Sequence, residues 1–178
     1  MSKKIYLYKS LPADLKPNGH TFVVGKWHQI TEPLKICRVG FHASVRVIDA
    51  MQYVPCEVLA KVEVRGDSTK EKDKQCWSEM KLVKTYKWTK KDSVALSIYA
   101  AELVIDNYEK IYPDDDRPRK AIEAAKAVLK NDTEENRSAA KSAAESARSA
   151  ESAAESAAES AEECRDKIGL WIHKRTNI

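Results

Sequence analysis

Ser138-Ala139-Ala140-Lys141-Ser142-Ala143-Ala144-Glu145-Ser146-Ala147-Arg148-Ser149-Ala150-Glu151-Ser152 is the stretch that decides the architecture of the second half of the chain. Serines stand at 138, 142, 146, 149, 152, 156 and 160, in steps of 4, 4, 3, 3, 4 and 4. Each eleven-residue block therefore makes three turns, about 3.67 residues per turn and close to an undistorted α-helix. The serines fall in one narrow stripe, and alanines from Ala139, Ala143 and Ala147 onward form a second. Lys141, Glu145, Arg148 and the following glutamates form a third, solvated one. A stripe of alanine lets another backbone approach closely, so burial against the preceding helices is expected. A solvated single helix is the alternative, since alanine has the best intrinsic propensity. Over residues 133–168 one helix would span about 54 Å at 1.5 Å per residue.

Two shorter helices precede it. Over residues 92–112, Val94, Ile98, Ala101, Ile105 and Tyr108 recur at three- and four-residue spacing, and Pro113 stops the run. The next helix follows Asp114-Asp115-Asp116, carries Pro118 in its first turn and aligns Ile122, Ala125 and Leu129. Acids at a helix start offer caps and favour the positive end of the dipole, which accounts for the triplet more simply than a divalent ion does. Asn131-Asp132-Thr133 ends that helix and caps the long one, with Glu135 placed for a capping box with Asp132. Gly169-Leu170-Trp171-Ile172 is expected to plug the end of an elongated antiparallel three-helix unit.

Upstream the period changes. Ile5-Tyr6-Leu7-Tyr8, Thr21-Phe22-Val23-Val24 and Leu34-Lys35-Ile36-Cys37-Arg38-Val39 are strand candidates separated by turn signals such as Pro17-Asn18-Gly19. Residues 45–53 suit a short helix capped by Ser44, residues 57–64 alternate as a strand, residues 68–76 are polar and read as loop, and residues 80–88 give a last strand. The fold class is α+β: a small mixed domain over residues 1–90, then the helical unit over 91–178.

Composition changes at the same place. Residues 1–90 carry 17 Lys/Arg against 9 Asp/Glu, while residues 91–178 carry 14 against 18, the two balances giving the net +4. All glycines but Gly169 precede residue 67. A basic first unit predicts an acidic partner for it. At 178 residues and 43% hydrophobic the chain can bury a modest core. No apolar run is long enough for a membrane span, and the first residues lack the stretch of a signal peptide, so the expected location is the cytoplasm, that of the host cell if the gene is a phage's. Cys37, Cys56, Cys76 and Cys164 are then expected as buried thiols.

Three places could carry chemistry. Cys37-Arg38-Val39-Gly40-Phe41-His42-Ala43-Ser44 is the densest cluster of reactive types, and it could set His42 at the rim of a cleft with Tyr8, Lys9 and Ser44 as neighbours. A buried histidine beside a helix cap is the quieter use of the same residues. Lys81, Lys84 and Lys87, interleaved with Tyr86 and Trp88, suit a phosphate backbone and stacked bases, against the alternative of a solvated basic face. Simple alternation puts Lys81 and Lys87 on one face of the strand and Lys84 on the other. Zinc-ligand spacings and the self-announcing enzyme motifs do not occur, so no metal and no cofactor is expected.

Pro113-Asp114-Asp115-Asp116-Arg117-Pro118-Arg119-Lys120-Ala121-Ile122-Glu123-Ala124-Ala125, followed by the alanine-rich helix, resembles a family of alanine-rich immunity proteins linked to bacterial toxin systems, over residues 93 to about 173. The first half is similar to an uncharacterised domain common in phages and prophages, over residues 5 to about 85. It shares Tyr8-Lys9, Val24-Gly25-Lys26-Trp27, the Cys37-x-x-Gly40-Phe41-His42-Ala43-Ser44 segment and Val62-Glu63-Val64-x-Gly66-Asp67. Its Tyr-Lys first strand and Gly-Phe-His-x-Ser segment also resemble small ADP-ribosyltransferase-like folds, although no glutamate can be assigned as their usual catalytic acid.

The resemblances imply a phage-type, non-enzymatic binding protein that engages and inhibits a bacterial defence or toxin component by contact. Its partner would be a host protein or complex, with no membrane involved. An ADP-ribosyltransferase-like enzyme or nucleotide-binding protein using the cleft near His42 is one alternative. Nucleic-acid binding by the lysine-rich strand is another.

Overall fold

The computed structural model describes residues 4–53, 55–154 and 161–178. The architecture is α+β: an antiparallel sheet region followed by helices. Two compact units emerge, one of Met1–Thr89 together with Gly169–Ile178, the other of Lys90–Ile168. The C-terminal segment that sequence placed as a plug on the helices thus belongs with the sheet.

The sheet is organised by one long hairpin, β4 (Val58–Lys70) and β5 (Gln75–Lys87). β1 (Ile5–Leu11) pairs along β4, while β2 (Trp27–Gln29) and β3 (Phe41–Ala43) pair in succession along the other edge of β5. Tyr8 and Ser44 exchange backbone hydrogen bonds of 2.9 and 2.8 Å, tying the free edge of β1 to the residue after β3. The ring β1–β4–β5–β3 is thereby closed, which removes two strand edges.

Inside that ring lies the core. Leu7 and Leu11 of β1, Val62 and Val64 of β4, and Met80 and Leu82 of β5 share one face and are sealed by Phe22, Phe41 and Trp77. The opposite face carries Tyr8, Leu59 and Glu63. Here the C-terminal segment returns: the rings of Tyr8 and His173 meet edge-on at 5.0 Å, and Lys84 Nζ donates to the Asn177 carbonyl at 2.6 Å. Ile172 is fully buried.

Several expected elements differ. Residues 68–76 are not a loop, because both hairpin strands run on and only residues 71–74 turn. Their polarity reflects the solvated end of β4, whereas Cys76 at the start of β5 is buried. Neither 21–24 nor 34–39 forms a strand. The first lies in the irregular segment between a 3-10 turn (Pro17–Gly19) and β2, and the second is a tight turn closed by a Lys35–Val39 bridge. The short helix shrinks to α1 (Val47–Ala50), and of the four thiols, all expected buried, Cys76 is buried, Cys56 and Cys164 are half-buried and Cys37 is exposed.

In the helical unit the first expected helix is broken. α2 (Lys90–Glu102) stops and α3 (Ile105–Ile111) restarts, with Val104 N–H reaching back only three residues to Ala101. Ile105 and Tyr108 lie on the inside past the break. α4 (Arg117–Lys130) begins with Pro118 in its first turn, and α5 (Glu134–Ala154) is capped by Thr133 Oγ1 accepting from Asn136 N–H at 3.2 Å. The anticipated Asp132–Glu135 capping box is replaced, since Asp132 pairs with Arg137 instead. α4 packs against both α2 and α5. On α5 the half-buried line is Ala140, Ala143 and Ala147, whereas Ala139 and the serines at 138, 142 and 146 are exposed. α6 (Ala161–Thr176) follows; whether one helix runs through 155–160, and the burial of the stripes from 148 to 160, lie outside the described residues.

Candidate functional site

β1 reads Ile5-Tyr6-Leu7-Tyr8-Lys9-Ser10-Leu11, and its core face is built from positions 5, 7, 9 and 11. Three are aliphatic. The fourth is Lys9, a cation where the alternation calls for an apolar side chain. Its Nζ donates to the His42 carbonyl at 2.8 Å and stands 6.0 Å from the centre of the Phe22 ring. Burial pushes its pKa down to about 8.

A cavity of about 540 Å³ opens in the sheet unit, and Tyr8, Lys9, His42 and Ser44 all line it. The four residues that sequence singled out border the same cavity, although the Tyr8 ring lies on the opposite strand face, against His173. His42 is half-buried, and its Nε2 accepts a hydrogen bond from Cys37 N–H at 2.9 Å while the ring also bonds to the Gly40 backbone. Desolvation and the charges of Lys9 and Lys74 lower its pKa, so the ring is neutral near pH 7. With its nitrogens engaged in holding the 37–40 turn, His42 positions a loop. A general-base role would require that bond to break.

The 37–40 turn is strained and tightly fitted. Cys37 has φ 64° and Gly40 φ 126°, and a Cβ on Gly40 would lie 2.1 Å from Cys76 Sγ and 2.9 Å from Leu34 Cδ2. Glycine is required there for space and for backbone. Cys76 is buried, which raises its thiol pKa, and Sγ donates to the Val39 carbonyl at 3.3 Å. Lys74 Nζ reaches the Cys37 thiol at 3.2 Å and Glu71 at 3.3 Å.

A second imidazole was not read from the sequence. His20 lines the same cavity, edge-on to Phe22 and Phe41 at 4.8 and 5.0 Å, and its Nε2 lies 3.1 Å from His28 Nδ1. His28 Nε2 accepts from Val23 N–H, so His28 donates to His20. Desolvation first, then the His28 and Lys9 charges, lower the His20 pKa. Nothing in the local pattern of residues 20–28 marks this pair, which is assembled by the irregular segment that sequence took for a strand.

The lysine-rich strand is rearranged by one residue. Lys61 pairs with Lys84 and Val62 with Leu82, so Val83 is a β-bulge. The bulge reverses the parity beyond it, placing Lys84 and Tyr86 on the face of Lys81 and sending Lys87 to the other. Lys81 pairs with Glu63 at 2.6 Å and lies 4.8 Å from the centre of the Trp27 ring, which Arg65 covers from 4.0 Å. The Lys81 ammonium is the first cause of Glu63's lowered pKa. Lys84 is held by Asn177, Trp88 is buried, and Lys87 is exposed.

In the helical unit the acid-rich segment braces α3 to α4. Asp115 accepts from the Tyr108 hydroxyl at 2.7 Å and from Arg117 Nη2 at 2.6 Å, which holds its carboxyl far below the usual range. Arg119 pairs with Glu109 and, at 3.4 Å, with Asp106; Lys126 reaches Glu102 of α2 at 2.9 Å. Among the described residues no three His, Cys, Asp or Glu gather as a metal site, and no helix is long and apolar enough to cross a membrane.

Residues 5–92 match the model of a domain of unknown function, DUF7666, and residues 86–162 match that of an Imm-5 like putative immunity protein. The two matches meet over residues 86–92, where β5 gives way to α2. No curated protein and no solved structure matches the chain.

Proposed function

We propose that this chain is an immunity-type inhibitor which acts by contact, its helical residues engaging a bacterial toxin or defence protein. The observation that carries the reading is the likeness of residues 86–162 to the Imm-5 like family. Immunity proteins need no active site, and the helical residues fit that economy: their ion pairs brace one helix on another, and the serines at 138, 142 and 146 face outward. A phage-encoded inhibitor of a host system is the specific form we favour. Affinity capture from a bacterial lysate, followed by co-production of each captured protein with the chain, tests it. Growth should be restored where the captured protein is toxic alone. Failure of every captured protein to be neutralised would contradict the reading.

A second reading assigns the sheet unit a ligand, nucleotide binding or an ADP-ribosyltransferase-like activity included. It is favoured by the meeting of Tyr8, Lys9, His42 and Ser44 on one cavity. A nucleotide-dependent rise in Tm would support it, and the engaged nitrogens of His42 weigh against general-base chemistry there.

A further inference from the structure

We propose that the cavity of the sheet unit is a receptor for a small organic anion, a carboxylate or a phosphate ester, whose charged group sits on Lys9. The inference deepens the second reading above by naming the ligand class. It rests first on register. Lys9 occupies the core-facing row of β1 between Leu7 and Leu11, a place that a cation holds only with compensation. Among the described residues its hydrogen bond is to a neutral carbonyl, that of His42. The ammonium has two further N–H groups, and Lys9 borders the cavity.

The surroundings agree. From β3 comes His42, from the segment before β2 His20, and from β5 Cys76. Each of the two imidazoles has its protonation opposed by the Lys9 charge, and the Cys76 thiol is held neutral by burial. Arg38 adds positive charge along the lining, Lys74 is paired with Glu71, and among the described residues the lining carboxylate is Glu32. At about 540 Å³ the cavity has the capacity of a metabolite-sized site, with Phe22 and Phe41 as an apolar wall. An anion on Lys9 would hold its proton to higher pH and offset the repulsion on both histidines together. Local departures from pattern of this kind are where function is expected.

The experiment follows the His20 and His42 resonances of the full chain by NMR during titration with inorganic phosphate, AMP and succinate, at constant ionic strength. Saturation by at least one probe is expected, with both imidazole pKa values rising in step. Lys9→Met should weaken that binding at least tenfold, and Lys9→Arg should keep part of it. Affinity should fall as pH passes about 8, where Lys9 loses its proton. Preference for phosphate over succinate, or the reverse, identifies the charged group, and AMP above phosphate shows that the organic body is held. Unmoved imidazoles with all three probes, or shifts that persist in Lys9→Met, would overturn the proposal. Binding without any turnover would keep it while removing the enzyme reading.

Discussion

The sheet unit and the helical unit bury their residues to different depths. In the first, Leu11, Met80 and Leu82 are wholly inaccessible to solvent inside the ring of strands, and Leu59 is equally buried on the opposite face of β4. In the second, Ile98, Ile105 and Ile122 each keep 6–8% of their surface, and the helices are cross-braced by Arg119–Glu109, Lys126–Glu102 and the Asp115 cluster. One unit is held by deep packing, the other by a shallower apolar cluster with exposed ion pairs around it. Packing tolerates a cavity with a cation in it, whereas a braced helical surface leaves long polar faces for a partner.

The largest effect should come from Gly40→Val. It places a side chain where Cys76 Sγ and Leu34 already stand and demands φ 126° of a β-branched residue, so the sheet unit should fail to fold. Leu82→Ala should cost about 2–5 kcal/mol, and Ile122→Ala about 2, at the lower end of the same range because its site is shallower. All four tryptophans lie in the sheet unit, so fluorescence reports that unit and far-UV circular dichroism reports both. Leu82→Ala should shift the fluorescence transition, and Ile122→Ala should shift only the dichroism. Coincident shifts in both variants would break the distinction.

Acid and base should separate the units as well. Folding lowers the Lys9 pKa from 10.5 to about 8, so the native state releases that proton first. The sheet unit should therefore gain stability between about pH 8 and 10.5, by up to roughly 3 kcal/mol. Lys9→Met should abolish that slope while raising stability at pH 7. Asp115 behaves oppositely: its carboxyl is held below the ordinary value, so the stability it lends is present above about pH 4 and lost as pH falls further. Denaturant titrations at pH 3, 7 and 9.5 read both signs. Among the smallest effects, Thr133→Ala should cost about 1 kcal/mol by removing the α5 cap.

Sequence showed the helices well because their signals are local. Pro118 marked the start of α4, and the three- and four-residue spacing marked the buried side chains of α2 to α4. It overran at Leu103-Val104, where the periodicity passes straight through a break made by backbone geometry. The sheet was half legible. β1 was found by composition, yet the far half of the hairpin was not, because the end of β4 is solvated on both faces and its polar residues look like loop. The candidate site was legible as residue types, with Tyr8, Lys9, His42 and Ser44 together on one cavity. Their roles were not. That His42 holds a turn, and that Lys9 sits in a core row, depends on β1–β4 register and on Cys37 N–H, which no spacing records. The Val83 bulge likewise rotates Lys84 away from where alternation puts it.

The most direct test of the division between a ligand-holding sheet and a partner-contacting helical surface is parallel affinity capture with three forms of the full chain. These are the natural sequence, Lys9→Met, and the double change Ser138→Arg with Ser142→Arg, both on exposed positions of α5. The account predicts that one bacterial protein is retained by the first two and lost by the third. Retention that survives the α5 changes but disappears with Lys9→Met would contradict it, because contact would then belong to the sheet unit.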